Sequence, residues 1–229
     1  IEILERNFEK QEQFVSDASH ELKTPLTVID SYASMLKRWG KERPDLLNES
    51  IEAIHSEAAR MKDMTEQMVL LAKNEEDWNI DKTTFSLLEL CEETSQTFSQ
   101  AYERNVHVHD ETQLQPLVHA DKQKIKQVLF SLLDNAKKYS SEAIHIYVGE
   151  NDEHCYFIVE DHGIGIPKEA QAHIFDRFYR VDEARNRDQG GTGLGLSIVK
   201  KIIDAHNGTI EIESEEQQGT KIKVALLRA

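Results

Sequence analysis

Leu4, Phe8, Gln11, Val15, Ala18 and Leu22 are spaced by four and three residues in turn, a heptad seam with one polar interruption at Gln11. Beyond Leu22 the apolar positions become Leu26, Ile29, Ala33 and Leu36. The two successive steps of four, Ala18 to Leu22 to Leu26, shift the phase as a stutter does in a coiled coil. This pattern predicts one long helix ending near Trp39-Gly40, with Gly40 as its C-terminal cap and Pro44 just beyond. A second run, Leu47, Ile51, Ile54, Ala58, Met61, Thr65, Met68 and Ala72, repeats the alternation. Two long helices joined by a short turn make a helical hairpin. One hairpin has too little apolar neighbour to bury both seams. The expectation is therefore a homodimer in which two hairpins form a four-helix bundle.

The heptad stops at Asn74, and the polar, acidic stretch to Lys82 reads as a linker. The expected division is a hairpin over 1–74, a linker over 75–82 and a second domain over 83–229. From Thr83 the pattern changes. Ser86 and Leu87 lead into a helix through about Glu103, Val106 and Val108 alternate with His107 and His109 as in a strand, and Asp121 starts a helix through Tyr139. Ile144, Ile146 and Val148 alternate, and Cys155 to Val159 forms an apolar strand. A helix is expected from about Ser197 to His206, then a hairpin in which Ile210 and Ile212 face Ile222 and Val224 around Gln217-Gln218-Gly219. The order predicts an α+β fold, with largely antiparallel strands covered by helices on one face.

Composition narrows the function. The 229 residues are 39% hydrophobic and 30% charged, the profile of a soluble globular chain. A formal charge of −15 argues against nucleic acid and against anionic lipid surfaces as partners. Cys91 and Cys155 stand far apart without metal-type spacing, which favours a reduced intracellular setting. No apolar run is long enough to cross a bilayer. The chain begins without Met and inside a helical pattern, so it reads as a piece of something longer.

The chemistry of the first helix centres on Phe14 to Leu26, where His20 and Glu21 lie beside the apolar stripe Val15, Ala18, Leu22 and Leu26. From there His20 reaches solvent and an incoming reagent. Neutral imidazole is a good nucleophile, and an adjacent carboxylate can orient or deprotonate its second nitrogen. Pro25 removes a helical N–H just beyond, and a bend is expected there. His55, in the second helix, reads as a surface histidine.

Three segments of the second domain carry ligand-type chemistry. Leu133 to Tyr139 places Asn135, Lys138 and Tyr139 near a helix end; an asparagine oxygen is a hard neutral ligand for Mg²⁺, and a lysine is a point charge for phosphate. Val159 to Pro167 runs an apolar strand into Asp161-x-Gly163-x-Gly165. That carboxylate can accept a hydrogen bond from an exocyclic amine, while the glycines let backbone approach a ligand. Gln189 to Ser197 holds Gly191, Thr192, Gly193, Leu194 and Gly195 before a helix, where N–H groups face phosphate oxygens. This is neither a Walker loop nor a dinucleotide fingerprint. The charged run Asp182 to Gln189 reads as a lid over a pocket.

Taken together, these motifs resemble those of the sensor histidine kinases of two-component systems, in the family's order and over nearly the whole chain. The hairpin resembles their dimerisation and histidine-phosphotransfer domain. The second domain is similar to their catalytic domain, an α/β sandwich shared with gyrase, Hsp90 and MutL ATPases. The resemblance implies a membrane-anchored sensor preceding this cytoplasmic fragment, ATP and Mg²⁺ as cofactors, and the receiver domain of a response regulator as partner.

By position, the resemblance implies that His20 accepts the γ-phosphoryl group, Glu21 acts on its other nitrogen, and Thr24 positions a water for dephosphorylating the regulator. It implies Asn135 on Mg²⁺, Lys138 on phosphates and Asp161 on adenine, with Gly163 and Gly165 shaping the pocket. Tyr139, Arg180 and the loop Gly191, Thr192, Gly193, Leu194 and Gly195 complete the nucleotide set, Arg180 toward the γ-phosphate. One position departs. The family usually carries a second Asn four residues before the Mg²⁺ ligand, and this chain has Ser131. ATPases of the same fold carry a catalytic Glu there, so Ser131 speaks against the alternative of an ATP-hydrolysing conformational machine.

Overall fold

The structure, a computed structural model, describes residues 2–39, 43–73, 78, 80–181 and 191–229. The chain divides into two compact units, Ile1–Ala72 and Lys73–Ala229.

The first unit is a hairpin of α1 (Glu2–Trp39) and α2 (Pro44–Ala72), packed along one another. Pro44 is the first residue of α2, not a stop beyond α1. A helix tolerates proline at this position, where the missing N–H has no intrahelical partner to lose. α1 runs on through Pro25, which is buried inside it. Pro25 offers no N–H to the Glu21 carbonyl, so the ladder lacks one bond one residue beyond His20. Gly40, the expected cap, lies outside the described residues.

The second unit begins with Trp78, which is only 8% exposed and lies between the ammonium groups of Lys124 and Lys201, 5.1 and 5.3 Å from its ring centre. Part of the acidic stretch expected to be a linker therefore packs on this unit. The elements follow as β1 (Thr83–Ser86), α3 (Leu87–Tyr102), β2 (Val106–Asp110), β3 (Leu117–Ala120), α4 (Lys122–Tyr139), β4 (Ile144–Glu150), β5 (His154–Asp161), α5 (Lys168–Gln171), α6 (Gly195–Ala205), β6 (Thr209–Glu215) and β7 (Gly219–Leu227). Five strands form one sheet in the order β2-β4-β5-β7-β6, and β1 pairs with β3 apart from it. β2 and β4 are parallel, because the chain crosses back through α4 between them; the other neighbours are antiparallel.

Period-two alternation decides which face of the sheet is covered. Ile144, Ile146 and Val148 of β4 and Cys155, Phe157 and Val159 of β5 are buried, in contact with a helical layer that contributes Phe98, Leu129, Leu133, Val199 and Ile202. Side chains must start the helices where the first N–H groups lack partners. Ser86 Oγ accepts the Glu89 N–H at the head of α3. Asp121 Oδ1 accepts those of Gln123 and Lys124 at 3.0 and 3.1 Å at the head of α4. Buried His206, at the end of α6, accepts the Asp121 N–H on Nε2 at 3.1 Å and donates from Nδ1 to the Ile202 carbonyl at 2.7 Å. Both ring nitrogens are thereby used, and burial lowers the imidazole pKa below its ordinary value. This bond ties the start of α4 to the end of α6, the two helices that carry the candidate site.

Candidate functional site

Three residues of α4 lie one turn apart along one stripe, Ser131, Asn135 and Tyr139. At the upper end, the Tyr139 carbonyl accepts the Ile164 N–H at 3.2 Å. A Cβ on Gly163 would lie 2.2 Å from that same oxygen, so only glycine lets the segment after β5 close on the helix. The Tyr139 hydroxyl is 4.0 Å from where a Gly191 Cβ would stand. At the lower end, Ser131 Oγ is 3.3 Å from the Cβ position of Gly195. The stripe thus touches the segment after β5 and both ends of the glycine loop, and Asn135 lies between these contacts. Its carboxamide is half-buried and makes no hydrogen bond among the described residues.

Asp161 ends β5, half-buried beside this gap. The Gly163 N–H donates to its Oδ1 at 2.9 Å. Burial raises its carboxyl pKa above the ordinary value, while the N–H groups of Gly163 and Thr220 and the neighbouring His162 oppose that rise. A carboxylate held in such a place favours a ligand that brings its own donor. Gly165 follows at φ +66°, where its Cβ would stand 2.0 Å from the Glu215 carbonyl oxygen. Here the segment lies against the β6–β7 turn, and the Gln217 N–H donates to the Ile164 carbonyl at 2.8 Å.

The glycine loop leads into α6, which starts at Gly195, two residues before the expected Ser197. Gly195 is therefore the first helical residue rather than part of the loop. Thr192 Oγ1 accepts the Leu194 N–H at 3.3 Å, and Leu194 is fully buried. Phe178 donates its N–H to the Gly193 carbonyl at 2.9 Å, joining the Ile174–Arg180 stretch to the loop. Arg180 has a buried Nη2 without a partner among the described residues. The expected lid, Asp182 to Gln189, lies outside the described residues.

Lys138 is not extended into the gap. Its ammonium binds Asp134 at 2.6 Å, and Lys137 binds the same carboxylate at 3.2 Å. Burial would raise the Asp134 pKa, but the two lysines outweigh it and hold the carboxyl below its ordinary range. Thr220 was not singled out from sequence. It pairs with Asp161 across β5 and β7, and its hydroxyl lies 2.9 Å from Ser214 Oγ. Only the strand register makes that adjacency visible.

Among the described residues no three His, Cys, Asp or Glu side chains converge as a metal cage. Mg²⁺ takes one or two protein oxygens and completes its shell with water and substrate phosphates. The Asn135 carboxamide, without a hydrogen bond among the described residues, offers an oxygen of the kind that could hold such an ion.

In the first unit, His20 and Thr24 are exposed and Glu21 is half-exposed. Glu21 follows His20 directly and Thr24 lies four residues on, one helical turn, so His20 and Thr24 share a face. The hydroxyls of Ser19, Thr27 and Ser31 donate to carbonyls one turn back, at 2.8 Å each. Thr24 makes no such bond among the described residues, which leaves its hydroxyl to solvent. His55 is exposed on α2, as its position suggested.

Residues 10–77 match the His Kinase A (phospho-acceptor) domain, and residues 120–229 match the Histidine kinase-, DNA gyrase B-, and HSP90-like ATPase family. Sensor histidine kinase YkoH of Bacillus subtilis is 48% identical over 96% of this chain. The chain spans about half the length of that relative, 48%. The catalytic domain of the histidine kinase ThkA, in a nucleotide-free form, is 33% identical, with a TM-score of 0.55 over 65% of this chain and 96% of that one. ThkA in complex with the response regulator protein TrrA matches the fold over 98% of this chain and 64% of that one, at 24% identity and a TM-score of 0.80. On this evidence the chain belongs to the sensor histidine kinases of two-component systems.

Proposed function

We propose that this chain phosphorylates its own His20 from Mg-ATP and passes the phosphoryl group to an aspartate of a response-regulator receiver domain. The observation that carries the reading is the α4 stripe, which gathers the three ligand-type segments around an unpartnered asparagine. In this reading Asp161 accepts a hydrogen bond from the adenine amine, in a pocket shaped by Gly163 and Gly165. Tyr139 frames the opening, and the backbone of Gly191, Thr192, Gly193, Leu194 and Gly195 lines the phosphates. Lys138 exchanges Asp134 for a phosphate oxygen, and Arg180 turns its unpaired Nη2 toward the γ-phosphate. Asn135 holds Mg²⁺, which supplies charge neutralisation to the triphosphate when bound. Phosphoryl transfer needs positioning and charge compensation more than covalent help, and these residues are suited to that.

At the acceptor, one imidazole nitrogen of His20 attacks the γ-phosphorus while the bond to the β–γ bridging oxygen breaks and ADP leaves. Glu21 takes the proton from the other nitrogen. The missing helical bond at Pro25 loosens the backbone beside these residues, which supports a helix that must accommodate an incoming nucleotide. Thr24, with its free hydroxyl, orients a water in the reverse role, hydrolysis of the phosphorylated regulator. Two hairpins form the dimer, and segments outside this chain hold the whole protein at the membrane with this part in the cytoplasm. Among the described residues themselves no helix is long and apolar enough to cross a bilayer.

The test is incubation with γ-labelled ATP and Mg²⁺. Acid-labile, base-stable label on the protein is expected in the parent chain and absent in His20→Gln, while ATP binding stays unchanged. Full labelling of His20→Gln removes His20 as acceptor. Release of free phosphate without labelled protein favours the hydrolytic machine instead.

A further inference from the structure

The face of the sheet turned away from the helices carries a group of imidazoles that the proposed reaction does not use. On β2 and β4, His107 is paired with His145 and His109 with Tyr147. On β5, Glu160 stands opposite His145. These positions alternate with the buried Ile144, Ile146 and Val148, so the imidazoles share the open face. His145 lies between its neighbours, with ring centres 5.4 Å from His107, 5.2 Å from His109 and 5.9 Å from His162. His109 Nε2 and His145 Nδ1 are 3.0 Å apart.

Two nitrogens bonded to one cation at about 2.1 Å, and subtending about 90–110° there, are themselves about 3.0–3.4 Å apart. The pair already stands at that separation, on adjacent strands whose register holds it. Turning each ring so that its lone pair points about 35–45° off the line between the nitrogens converts two nitrogens that share a proton into two that share a metal. The charge state is suited to this. Burial lowers the His145 pKa below its ordinary value, the neighbouring His109, His107 and His162 lower it further, and only Glu160 opposes them. Glu160 is itself engaged, by Lys221 at 3.0 Å and His162 at 3.8 Å.

We infer that His109 and His145 form a bidentate site for a divalent d-block cation of the imidazole-preferring class, Zn²⁺, Ni²⁺ or Cu²⁺. No third ligating side chain converges on the pair among the described residues, so water completes the shell and one face of the ion stays open. Mg²⁺, a hard ion that prefers oxygen, does not compete. Because β2 is the outermost strand beside β4, the cation clips the sheet edge to its interior. None of the candidate nucleotide residues lies on β2 or β4, so occupancy stabilises the sheet without blocking the pocket.

The experiment is calorimetric titration of the full chain with ZnCl₂ near neutral pH, in excess MgCl₂, with a thermal melt of each sample. His109→Gln and His145→Gln are each expected to weaken one Zn²⁺ site by about tenfold or more, the scale on which a single supporting group shifts metal affinity. His173→Gln and His119→Gln keep that site, so Zn²⁺ raises the melting temperature of the parent chain and of these two variants but not of His109→Gln or His145→Gln. Equal affinity in the parent and both glutamine variants overturns the inference. Should a glutamine variant fail to fold, Cu²⁺ titration of the parent chain followed by NMR decides. Broadening of the His109 and His145 ring resonances ahead of all other histidines supports the site, and broadening that begins elsewhere overturns it.

Discussion

Phe157, Leu133 and Ile146 in the sheet unit are wholly shielded from water, whereas Val15, Ile51 and Val69 in the hairpin keep 59, 49 and 60% of their surface exposed. Both units have comparable apolar patterning along their helices. The difference is what each helix meets. α3, α4 and α6 pack on a sheet with one apolar face, and that closes a core within a single chain. Within their own unit α1 and α2 pack along one another, and two helices cannot cover two seams. The sheet unit closes its own core, while the hairpin leaves Val15, Ile51 and Val69 exposed, the surface that the proposed dimer would cover.

Three changes test that contrast, in descending size of effect. Phe157→Ala empties a fully buried site and is expected to lower the stability of the sheet unit by about 3–5 kcal/mol, with loss of ATP binding. The hairpin keeps its helical content and its self-association, followed by circular dichroism and sedimentation; loss of both along with the sheet would erase the division. Ile51→Lys acts the other way. A charge on the exposed seam is expected to raise the dimer dissociation constant by about tenfold or more, the effect of about 1.4 kcal/mol. ATP affinity should not change, and an unaltered dimer by sedimentation would remove this face of α2 from the interface. Thr24→Ala has the smallest structural effect, within about 0.5 kcal/mol, because the side chain is exposed and removes no hydrogen bond. It is expected to lose phosphatase activity toward a phosphorylated receiver and to keep autophosphorylation and melting temperature. Phosphatase activity left intact in Thr24→Ala would remove the water-orienting role.

Much of the architecture was legible because the chain is locally consistent. Heptad steps marked α1 and α2, alternation marked β4 and β7, and Asp121 marked the head of α4. What escaped was set by non-local contacts. The β1–β3 pair joins Thr83–Ser86 to Leu117–Ala120, segments too short and too far apart to signal one another. The start of α6 was placed two residues late, because glycines suggest loop until the packing of Gly195 against Ser131 is seen. Trp78 looked like part of an acidic linker, yet two lysines from distant helices hold it.

The sequence by itself determined the types of residue that carry the chemistry and the family to which they belong, because those motifs are short and contiguous. It also determined the amphipathic faces, since helical and strand periods are local properties of the chain. The tertiary structure alone decided that Ser131, Asn135 and Tyr139 look onto the ends of two other segments, that Thr220 stands beside Asp161, and that Lys138 is held by Asp134. It alone brought His109 within 3.0 Å of His145. These relations depend on strand register and helix crossing, and those are fixed only when the whole apolar face of the sheet is buried at once.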